Sequence, residues 1–171
     1  MFRLTTPRLH LRELNDADAA FILRLLNEPS FIDNIGDKGV RTLDDARAYI
    51  ANGPAASYAR HGFGLWAMVR EADGALMGMS GLIQRDSLDD VDIGYALLPE
   101  FAGQGYALEA GQAVMRFARE NLGLARVVAI VSPHNTASIR LLEKLGFGFE
   151  RMIRMPGEDK DIKLLACVLG E

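Results

Sequence analysis

The alternation of apolar and polar residues near the start of the chain predicts one strand followed by a helix. In the segment RLHLREL, Leu9 and Leu11 alternate with charged residues, which is the pattern of a half-buried strand. The segment NDADAAFILRLLNEP then has apolar positions at helical spacing, with Asn15 as its N-terminal cap and Pro29 at its end. We therefore expect a first helix between these two residues.

A capping pattern and three short apolar runs follow. Thr42 and Asp45 have the spacing of a capping box, so we expect a second helix that extends through Ile50 before the loop NGPAAS. The runs GLWAMVRE, ALMGMSGLIQR and DDVDIGYALL are strand-like, and Asp73-Gly74 between the first two is a strong hairpin signal. Three consecutive runs of this kind predict an antiparallel meander.

The second half of the chain predicts a helix, a buried strand, another helix and a hairpin. Apolar residues recur at helical spacing over residues 105–121, and the β-branched run RVVAIV is expected to lie parallel to the preceding strand. Asn135 then caps a helix that ends at Gly146, and a turn at Pro156-Gly157 joins the last two strands.

These elements predict an α/β (mixed α+β) fold in a single domain over residues 1–171. The expected sheet is mixed but mostly antiparallel, contains six or seven strands and carries helices on both faces. A chain of 171 residues is long enough for one full core and short for two, and no linker or repeat divides it.

The composition narrows the classes of function. The net charge of −4 provides no positive field to attract nucleic acid or an anionic membrane, and no apolar run approaches the length of about 18 residues that a membrane span needs. Cys167 is the only cysteine and lies in the apolar run LLACVL, so an internal disulfide and a cysteine-based metal site are excluded. We expect a cytoplasmic protein that uses no metal.

The segment LLPEFAGQGYALEA passes from a predicted strand through a glycine turn into a predicted helix. Gly103 and Gly105 allow a tight turn, and the first turn of the helix leaves several N–H groups without partners beside the positive end of the helix dipole. Such groups can bind a pyrophosphate without a basic side chain. A Rossmann motif is excluded because Leu108 replaces its third glycine, and no Gly-Lys-Ser/Thr follows as in a Walker loop. A turn without a ligand is the alternative.

A second segment, NTASIRLLEKLGF, strengthens the case for a ligand. Together with LPEFAGQGYALEA and the opening TTPRLHLREL, it resembles the signature blocks of the GNAT acyltransferase superfamily, and in particular its RimJ/RimL-like branch. The resemblance spans nearly the whole chain and agrees with the predicted order of elements. It implies a GNAT-like fold whose sheet is splayed between the fourth and fifth strands, with Gly94 as the expected bulge at the gap.

The resemblance also implies that acetyl-CoA binds at the glycine turn. Its pantetheine arm would pair with the backbone of Leu97 and Leu98. Its pyrophosphate would contact the backbone amides of Gly103, Gln104, Gly105, Tyr106 and Ala107. The family pattern has Arg or Gln at the position of Ala102, so one side-chain contact is missing here. Arg140 and Lys144 are candidates for binding the CoA phosphates, with a purely solvated surface role as the alternative.

Asn135 and Ser138 match the N-x-x-S pattern of the RimJ/RimL-like branch, so the resemblance implies a role for them in catalysis, with helix capping alone as the alternative. Many GNAT members have a tyrosine at the position of Leu142 as proton donor to the departing thiolate, so the Ser138 hydroxyl is our candidate donor. Asn135 would cap the helix and lie near the pantetheine. Asp92, beside the expected bulge, and Glu100, beside the turn, are the candidate general bases, and direct attack with proton loss to solvent is the alternative.

The acceptor is expected to be a primary amine, either a protein N-terminal α-amine or a small molecule. It would lie over the N-terminal helices and the splayed strands, with an aromatic lining formed by Phe31, Trp66, Tyr95 and Phe101. Core packing is the alternative for each of these aromatic residues. Two other functions stay open, namely a non-catalytic acyl-CoA sensor and an acyltransferase for another acyl-CoA or acceptor. The protein is expected to be a monomer or a homodimer.

Overall fold

A computed structural model, which describes residues 1–170, shows one mixed sheet with helices on both faces. Eight strands form the sheet: β1 (Arg3–Thr5), β2 (Leu9–Arg12), β3 (Leu65–Arg70), β4 (Leu76–Ile83), β5 (Asp92–Leu97), β6 (Arg126–Val131), β7 (Gly148–Ile153) and β8 (Ile162–Val168). The α-helices are α1 (Ala19–Leu26), α2 (Pro29–Asn34), α3 (Leu43–Ile50), α4 (Ala56–His61), α5 (Tyr106–Glu120) and α6 (Thr136–Lys144).

The order of the strands confirms the predicted fold class. The order across the sheet is β1-β2-β3-β4-β5-β6-β8-β7, and β5 with β6 is the parallel pair in an otherwise antiparallel arrangement. The sheet has one strand more than expected because Arg3–Thr5 pairs with β2 as a separate edge strand. Three residues are too few for the alternation of apolar and polar positions to reveal a strand.

The predicted caps are present, but Asn15 caps a 3-10 turn over Asp16–Asp18 that precedes α1, and Pro29 begins α2 and does not close α1. The Asn15 side chain accepts a hydrogen bond from Ala17 N, and Thr42 Oγ1 accepts one from Asp45 N at 3.0 Å. The expectation of a loop in the segment NGPAAS is wrong, because Ala51–Ala55 form a π-helical turn that joins α3 to α4. This wider turn accommodates Pro54, which has no N–H to donate to a regular helical turn.

Two apolar cores lie on opposite faces of the sheet. Trp66 of β3 and Val114 of α5 belong to one core, which the C-terminal helices cover. Ala67, the neighbour of Trp66, packs into the other core with residues of α1 and α3 such as Ile22 and Ile50. Since successive residues of a strand point to opposite faces, the central strands are buried on both sides. The sheet therefore holds the N-terminal and C-terminal helices in a fixed relation.

Candidate functional site

The gap between β5 and β6 is the first feature of the site. The two strands are in register at one position, where Asp92 pairs with Val128, and the Val128 N–H donates to the Val91 carbonyl at 3.0 Å. Beyond this point the strands diverge toward their C-terminal ends. The edge strand β1 was not among the predicted strands, so β5 and β6 correspond to the fourth and fifth strands of the prediction. The predicted splay between these two strands is confirmed.

The expected bulge at Gly94 is absent. Pairing between β4 and β5 continues without a shift from Asp92 to Leu97. Gly94 instead allows close packing, since a Cβ atom there would lie 3.0 Å from Ile83 Cδ1 and 3.2 Å from Leu65 Cδ2. The gap therefore arises from the divergence of β6 and not from an irregularity in β5.

The backbone of β5 presents free hydrogen-bonding groups to the gap. Leu98 N–H donates to the Met77 carbonyl at 2.8 Å, so the alternation of an antiparallel ladder turns the backbone groups of Tyr95 and Leu97 toward β6. Beyond the single registered pair, β6 does not reach them. The Leu98 N–H is used in its bond to Met77 and its carbonyl accepts a hydrogen bond from Phe101 N at 3.0 Å, so pairing of the pantetheine arm with Leu98 stays a prediction.

The glycine turn follows directly from β5. Gly103 and Gly105 have φ values of 75° and 85°, in the left-handed region that a residue with a Cβ atom rarely adopts. Gly105 is the N-cap of α5, a helix of 15 residues. Within residues 1–170, the N–H groups of residues 103–107 donate no hydrogen bond. Five free N–H groups at the positive end of a long helix are an arrangement that can bind an anion.

Tyr95 and Ser138 meet across the inner part of the gap. The Tyr95 hydroxyl is hydrogen-bonded to Ser138 Oγ and lies 3.3 Å from the Ser138 carbonyl oxygen. Burial raises the pKa of Tyr95 to about 12, although the hydrogen bond with Ser138 opposes this shift. Tyr95 was expected to line an acceptor pocket, whereas the structure shows it as the partner of the candidate proton donor. Nothing in the spacing of these two residues indicates this contact.

The first turn of α6 fixes the position of Ser138. Asn135 Oδ1 accepts a hydrogen bond from the Ser138 N–H at 3.2 Å, so Asn135 is the predicted cap of this helix. Leu142, one turn further on, is buried in the core on the α5 side of the sheet. The face of α6 that approaches β5 therefore carries one hydroxyl followed by an apolar residue.

The two basic residues of α6 are placed less favourably for binding at the turn. Arg140 is exposed and makes no ion pair within residues 1–170. Lys144 lines a cavity of about 340 Å³ with Arg116 and Arg119 of the second half of α5. None of residues 103–107 lines this cavity, so the structure does not bring Lys144 to the glycine turn.

Asp92 is a buried carboxylate on the other face of β5. Its side chain is 1% exposed and accepts hydrogen bonds from Arg85 Nε at 3.1 and 3.3 Å. Burial raises its pKa to about 6, and the positive charge of Arg85 opposes the shift. Asp92 and Tyr95 are three residues apart on one strand, so their side chains point to opposite faces. A role for Asp92 as general base stays a prediction.

Glu100, the other candidate base, is held by an ion pair. Its Oε1 accepts a hydrogen bond from Arg24 Nη2 at 2.6 Å, and this hydrogen bond lowers the pKa of Glu100. A carboxylate with a lowered pKa is a weaker base, so Glu100 is the poorer candidate. Its contact connects α1 to the glycine turn.

The predicted aromatic lining of the acceptor site is divided between the faces of the sheet. Trp66 is fully buried on the α5 side, where its ring stacks on Phe2 with centroids 4.4 Å apart. It therefore cannot line a pocket over the N-terminal helices, and that prediction is wrong. Phe31 is buried beside α1 and α3, while Phe101 is half-buried between the two cores. Their contact with an acceptor stays a prediction.

An N-terminal segment that the sequence pattern did not assign to the site anchors the glycine turn. Glu109 of α5 accepts hydrogen bonds from Thr6 Oγ1 and from Arg8 N, the latter at 2.9 Å. Arg8 Nη1 donates to the carbonyl of Gln104 at 2.9 Å. The opening block TTPRLHLREL, which contains Thr6 and Arg8, was the only sequence signal for this segment. Because it lies about 100 positions from the turn, the sequence did not indicate that the two are in contact.

Among residues 1–170, no group of three or more His, Cys, Asp and Glu side chains is arranged to hold a metal ion. In the same part of the chain, no helix has both the length and the apolar surface to cross a bilayer. The gap, the turn and the Tyr95–Ser138 pair make up the candidate site.

The class of protein is indicated by two features together: the parallel strands β5 and β6 are splayed apart, and a glycine turn lies at the mouth of the gap between them. Residues 8–148 match the family described as Acetyltransferase (GNAT) domain. Because this match covers most of the sequence, the chain belongs to the GNAT acetyltransferase family. The fold agrees with this assignment.

Individual relatives are consistent with the family. The uncharacterized N-acetyltransferase YoaA of Bacillus subtilis is 31% identical over 88% of this chain and 85% of its own length. The uncharacterized protein YkkB of the same organism is 28% identical over 89% of this chain and 88% of its own length. A solved structure of RimL, a ribosomal-protein α-N-acetyltransferase in complex with coenzyme A, superimposes with a TM-score of 0.84 over 98% of both chains. At 18% identity, this likeness shows the fold.

Proposed function

We propose that the protein is an acetyl-CoA-dependent N-acetyltransferase of RimJ/RimL type that acetylates a primary amine in the cytoplasm. One observation carries the proposal: the free backbone edge at Leu97 leads directly to the free N–H groups of residues 103–107. A strand-like arm could pair with the edge while a pyrophosphate occupies the turn. Acetyl-CoA has these two parts in this order, and RimL, which shares the fold, has been solved with coenzyme A.

The Tyr95–Ser138 pair suits the departure of a thiolate. In the proposed reaction, the amine nitrogen forms a bond to the thioester carbonyl carbon, the C–S bond breaks, and the attacking nitrogen loses a proton. Ser138 Oγ is the candidate donor of a proton to the sulfur. Its hydrogen bond with the Tyr95 hydroxyl fixes its orientation and connects it to a second proton-bearing group.

The attacking amine must be neutral, which favours weakly basic acceptors. At pH 7 an α-amine with a pKa of about 7.7–8.0 is roughly 10% neutral, whereas a lysine side chain is about 0.04% neutral. An α-amine or another weakly basic amine therefore requires little help from a general base. Asp92, with a pKa raised to about 6 by burial, is the remaining candidate if a base is used.

The proposal is tested by calorimetric titration of the purified protein with acetyl-CoA and, as a comparison, with NAD. We expect the protein to bind acetyl-CoA and not NAD. Release of CoA thiol is then measured with three classes of acceptor: peptides with a free α-amine, free amino acids, and polyamines. Turnover on one class would identify the acceptor.

The remaining outcomes separate the alternatives. Binding of acetyl-CoA without turnover on any class would favour a non-catalytic acyl-CoA sensor. Preferential turnover of succinyl-CoA, or of a hydroxyl acceptor, would indicate a different acyltransferase. Absence of binding to any acyl-CoA would overturn the proposal and leave the glycine turn with a structural role only.

A further inference from the structure

The glycine turn carries no positively charged side chain of its own. Residues 97–110, LLPEFAGQGYALEA, contain no Lys or Arg, and their two acidic side chains are both engaged by arginines from elsewhere in the chain. A pyrophosphate carries at least two negative charges, and a helix dipole stabilises each of them only modestly. A cation supplied by another part of the fold would add substantially to binding.

Arg8 is the cation that the fold places at this turn. Residue 8 immediately precedes β2, so the sheet fixes its backbone. Its side chain donates from Nε to Glu109 Oε1 at 2.7 Å and from Nη1 to the Gln104 carbonyl at 2.9 Å. The guanidinium carbon lies 4.3 Å from the centroid of the Tyr106 ring. Two hydrogen bonds and a cation–π contact hold the guanidinium in one orientation.

The remaining nitrogen of this guanidinium faces the turn. Arg8 Nη2 donates no hydrogen bond within residues 1–170, and it lies 3.1 Å from the position that a Cβ atom on Gly105 would occupy. The absence of a side chain at residue 105 thus leaves Arg8 Nη2 open toward the free N–H groups. The Arg8 side chain is 45% exposed, so a ligand at the turn can reach it.

Glu109 orients Arg8. Its carboxylate is 16% exposed, and it accepts from Arg8 N, from Arg8 Nε and from Thr6 Oγ1. Among residues 1–170, none of the hydrogen bonds to this carboxylate comes from Arg8 Nη2. Glu109 therefore fixes the guanidinium and leaves one of its nitrogens free.

We infer that Arg8 is a binding residue for the pyrophosphate of CoA and supplies the positively charged contact that the glycine turn lacks. This inference rests on the proposed function, because it requires that the turn binds CoA. Arg8 Nη2 would donate to a phosphate oxygen that the backbone N–H groups of the turn also bind. Charge-assisted hydrogen bonds of this kind are about twice as strong as neutral ones.

The test compares two ligands that differ in the pyrophosphate. Arg8→Gln is titrated calorimetrically with CoA and with pantetheine, which lacks the nucleotide and the pyrophosphate. We expect the affinity for CoA to fall about 10-fold or more, since hydrogen bonds to charged groups contribute more than neutral ones. The affinity for pantetheine should stay as in the wild type. The affinity of the wild type for CoA should also decrease more steeply with salt than that of the variant.

Two further variants control for folding and for charge. Arg3→Gln removes another N-terminal arginine, which pairs with Glu71 away from the turn, and should leave CoA affinity unchanged. Ala102→Arg in the Arg8→Gln background introduces a cation on the turn itself and should restore part of the lost affinity. The gain from Ala102→Arg should be larger in this background than in the wild type, which would not follow if Arg8 merely supported the fold.

Three results would overturn the inference. One is an Arg8→Gln protein that is folded and binds CoA as tightly as Arg3→Gln does. Another is an equal loss of affinity for CoA and for pantetheine, which would show that Arg8 only shapes the turn. The third is a wild type that binds no CoA, which would reject the proposed function as well and is distinguished by the wild-type titration alone.

Discussion

At the scale of single residues, the candidate site depends on a glycine that lacks a side chain and on a few side chains held by specific hydrogen bonds. Gly105 has a φ of 85° and lies against Arg8 Nη2, so both its backbone and its missing side chain matter. Tyr95 and Ser138 are hydrogen-bonded, while Asp92 is buried against Arg85. Each of these features leads to a separate prediction.

Gly105→Val should abolish CoA binding. The branched side chain would occupy the place of the pyrophosphate beside Arg8 and would resist the left-handed backbone conformation. Titration calorimetry measures the effect. Gly123→Val is the matched control, because Gly123 has a φ of 63° with open space around it and lies beyond the far end of α5. Unchanged CoA affinity in folded Gly105→Val would refute the pyrophosphate site.

Ser138→Ala should lower kcat on the order of 100-fold with little change in KM for acetyl-CoA, as expected for loss of a proton donor. Tyr95→Phe should lower kcat about 10-fold, because it removes only the partner of the donor. The double variant should be no slower than Ser138→Ala, since the two hydroxyls act together. Steady-state kinetics measure these effects, with Thr136→Ala in the same helical turn as control. Additive losses would contradict a shared role.

Asp92 should make stability depend on pH. Its pKa is raised by burial to about 6, so the folded protein holds the Asp92 proton more tightly than the unfolded chain does. The contribution of this group to the free energy of unfolding is therefore largest at low pH. It should fall by roughly 2–3 kcal/mol as the pH rises from about 4 to about 6, and then remain constant.

Urea unfolding of the wild type and of Asp92→Asn across this pH range measures the effect. The difference in unfolding free energy between the two proteins should change with pH in that window. The unpaired Arg85 of the variant shifts the difference by a constant amount, because arginine does not titrate there. A difference that is independent of pH would show that Asp92 is not perturbed.

At the scale of elements, the site is made by strands and helices that separate or end at the same place. β5 and β6 are paired only at Asp92 and Val128, and the turn after β5 starts α5. α6 begins after the end of β6 and brings Ser138 back to Tyr95. The capping pattern of Asn135 was readable from the sequence, since it involves residues three apart.

Amide hydrogen exchange should detect the free edge of β5. The Leu97 N–H faces the gap, so it should exchange rapidly in the free protein and slowly once acetyl-CoA is bound. The Ala96 N–H faces β4 and should be protected in both states. NMR-detected exchange with and without acetyl-CoA measures this contrast. Leu97 exchange that acetyl-CoA leaves unchanged would mean that the pantetheine arm does not pair with β5.

At the scale of the whole molecule, two cores share one sheet. Leu9 and Trp66 contribute to the core beneath α5, and Ala67 to the core beneath α1 and α3. Both layers of helices pack their buried apolar residues against this sheet. The chain should therefore behave as the single domain that its length predicts.

Thermal unfolding should occur in one cooperative transition. Fluorescence of Trp66, the single tryptophan, reports on the core beneath α5, and far-ultraviolet circular dichroism reports on all helices. The two signals should give the same midpoint. Saturating acetyl-CoA, at about 100 times its dissociation constant, should add about 2.7 kcal/mol to the unfolding free energy and raise both midpoints together. Separate midpoints would indicate two independently stable parts.

The sequence by itself determined the features that depend on neighbouring residues. The caps at Asn15 and Thr42, the glycine turn and the order of most strands follow from local backbone preferences and from the period of the apolar positions. The resemblance in three sequence blocks indicated the family and led to the hypothesis that CoA binds at the turn. Together these predicted the fold class and the backbone part of the site.

Only the tertiary structure decided which distant residues meet. Arg8 and Gln104 are 96 positions apart, Tyr95 and Ser138 are 43 apart, and their hydrogen bonds leave no periodic signal in the sequence. Alternation indicates that Trp66 is buried, but not which layer of helices covers it. The reason is physical: hydrogen bonds and packing depend on spatial distance, and the sheet order and helix packing that set this distance involve the whole chain.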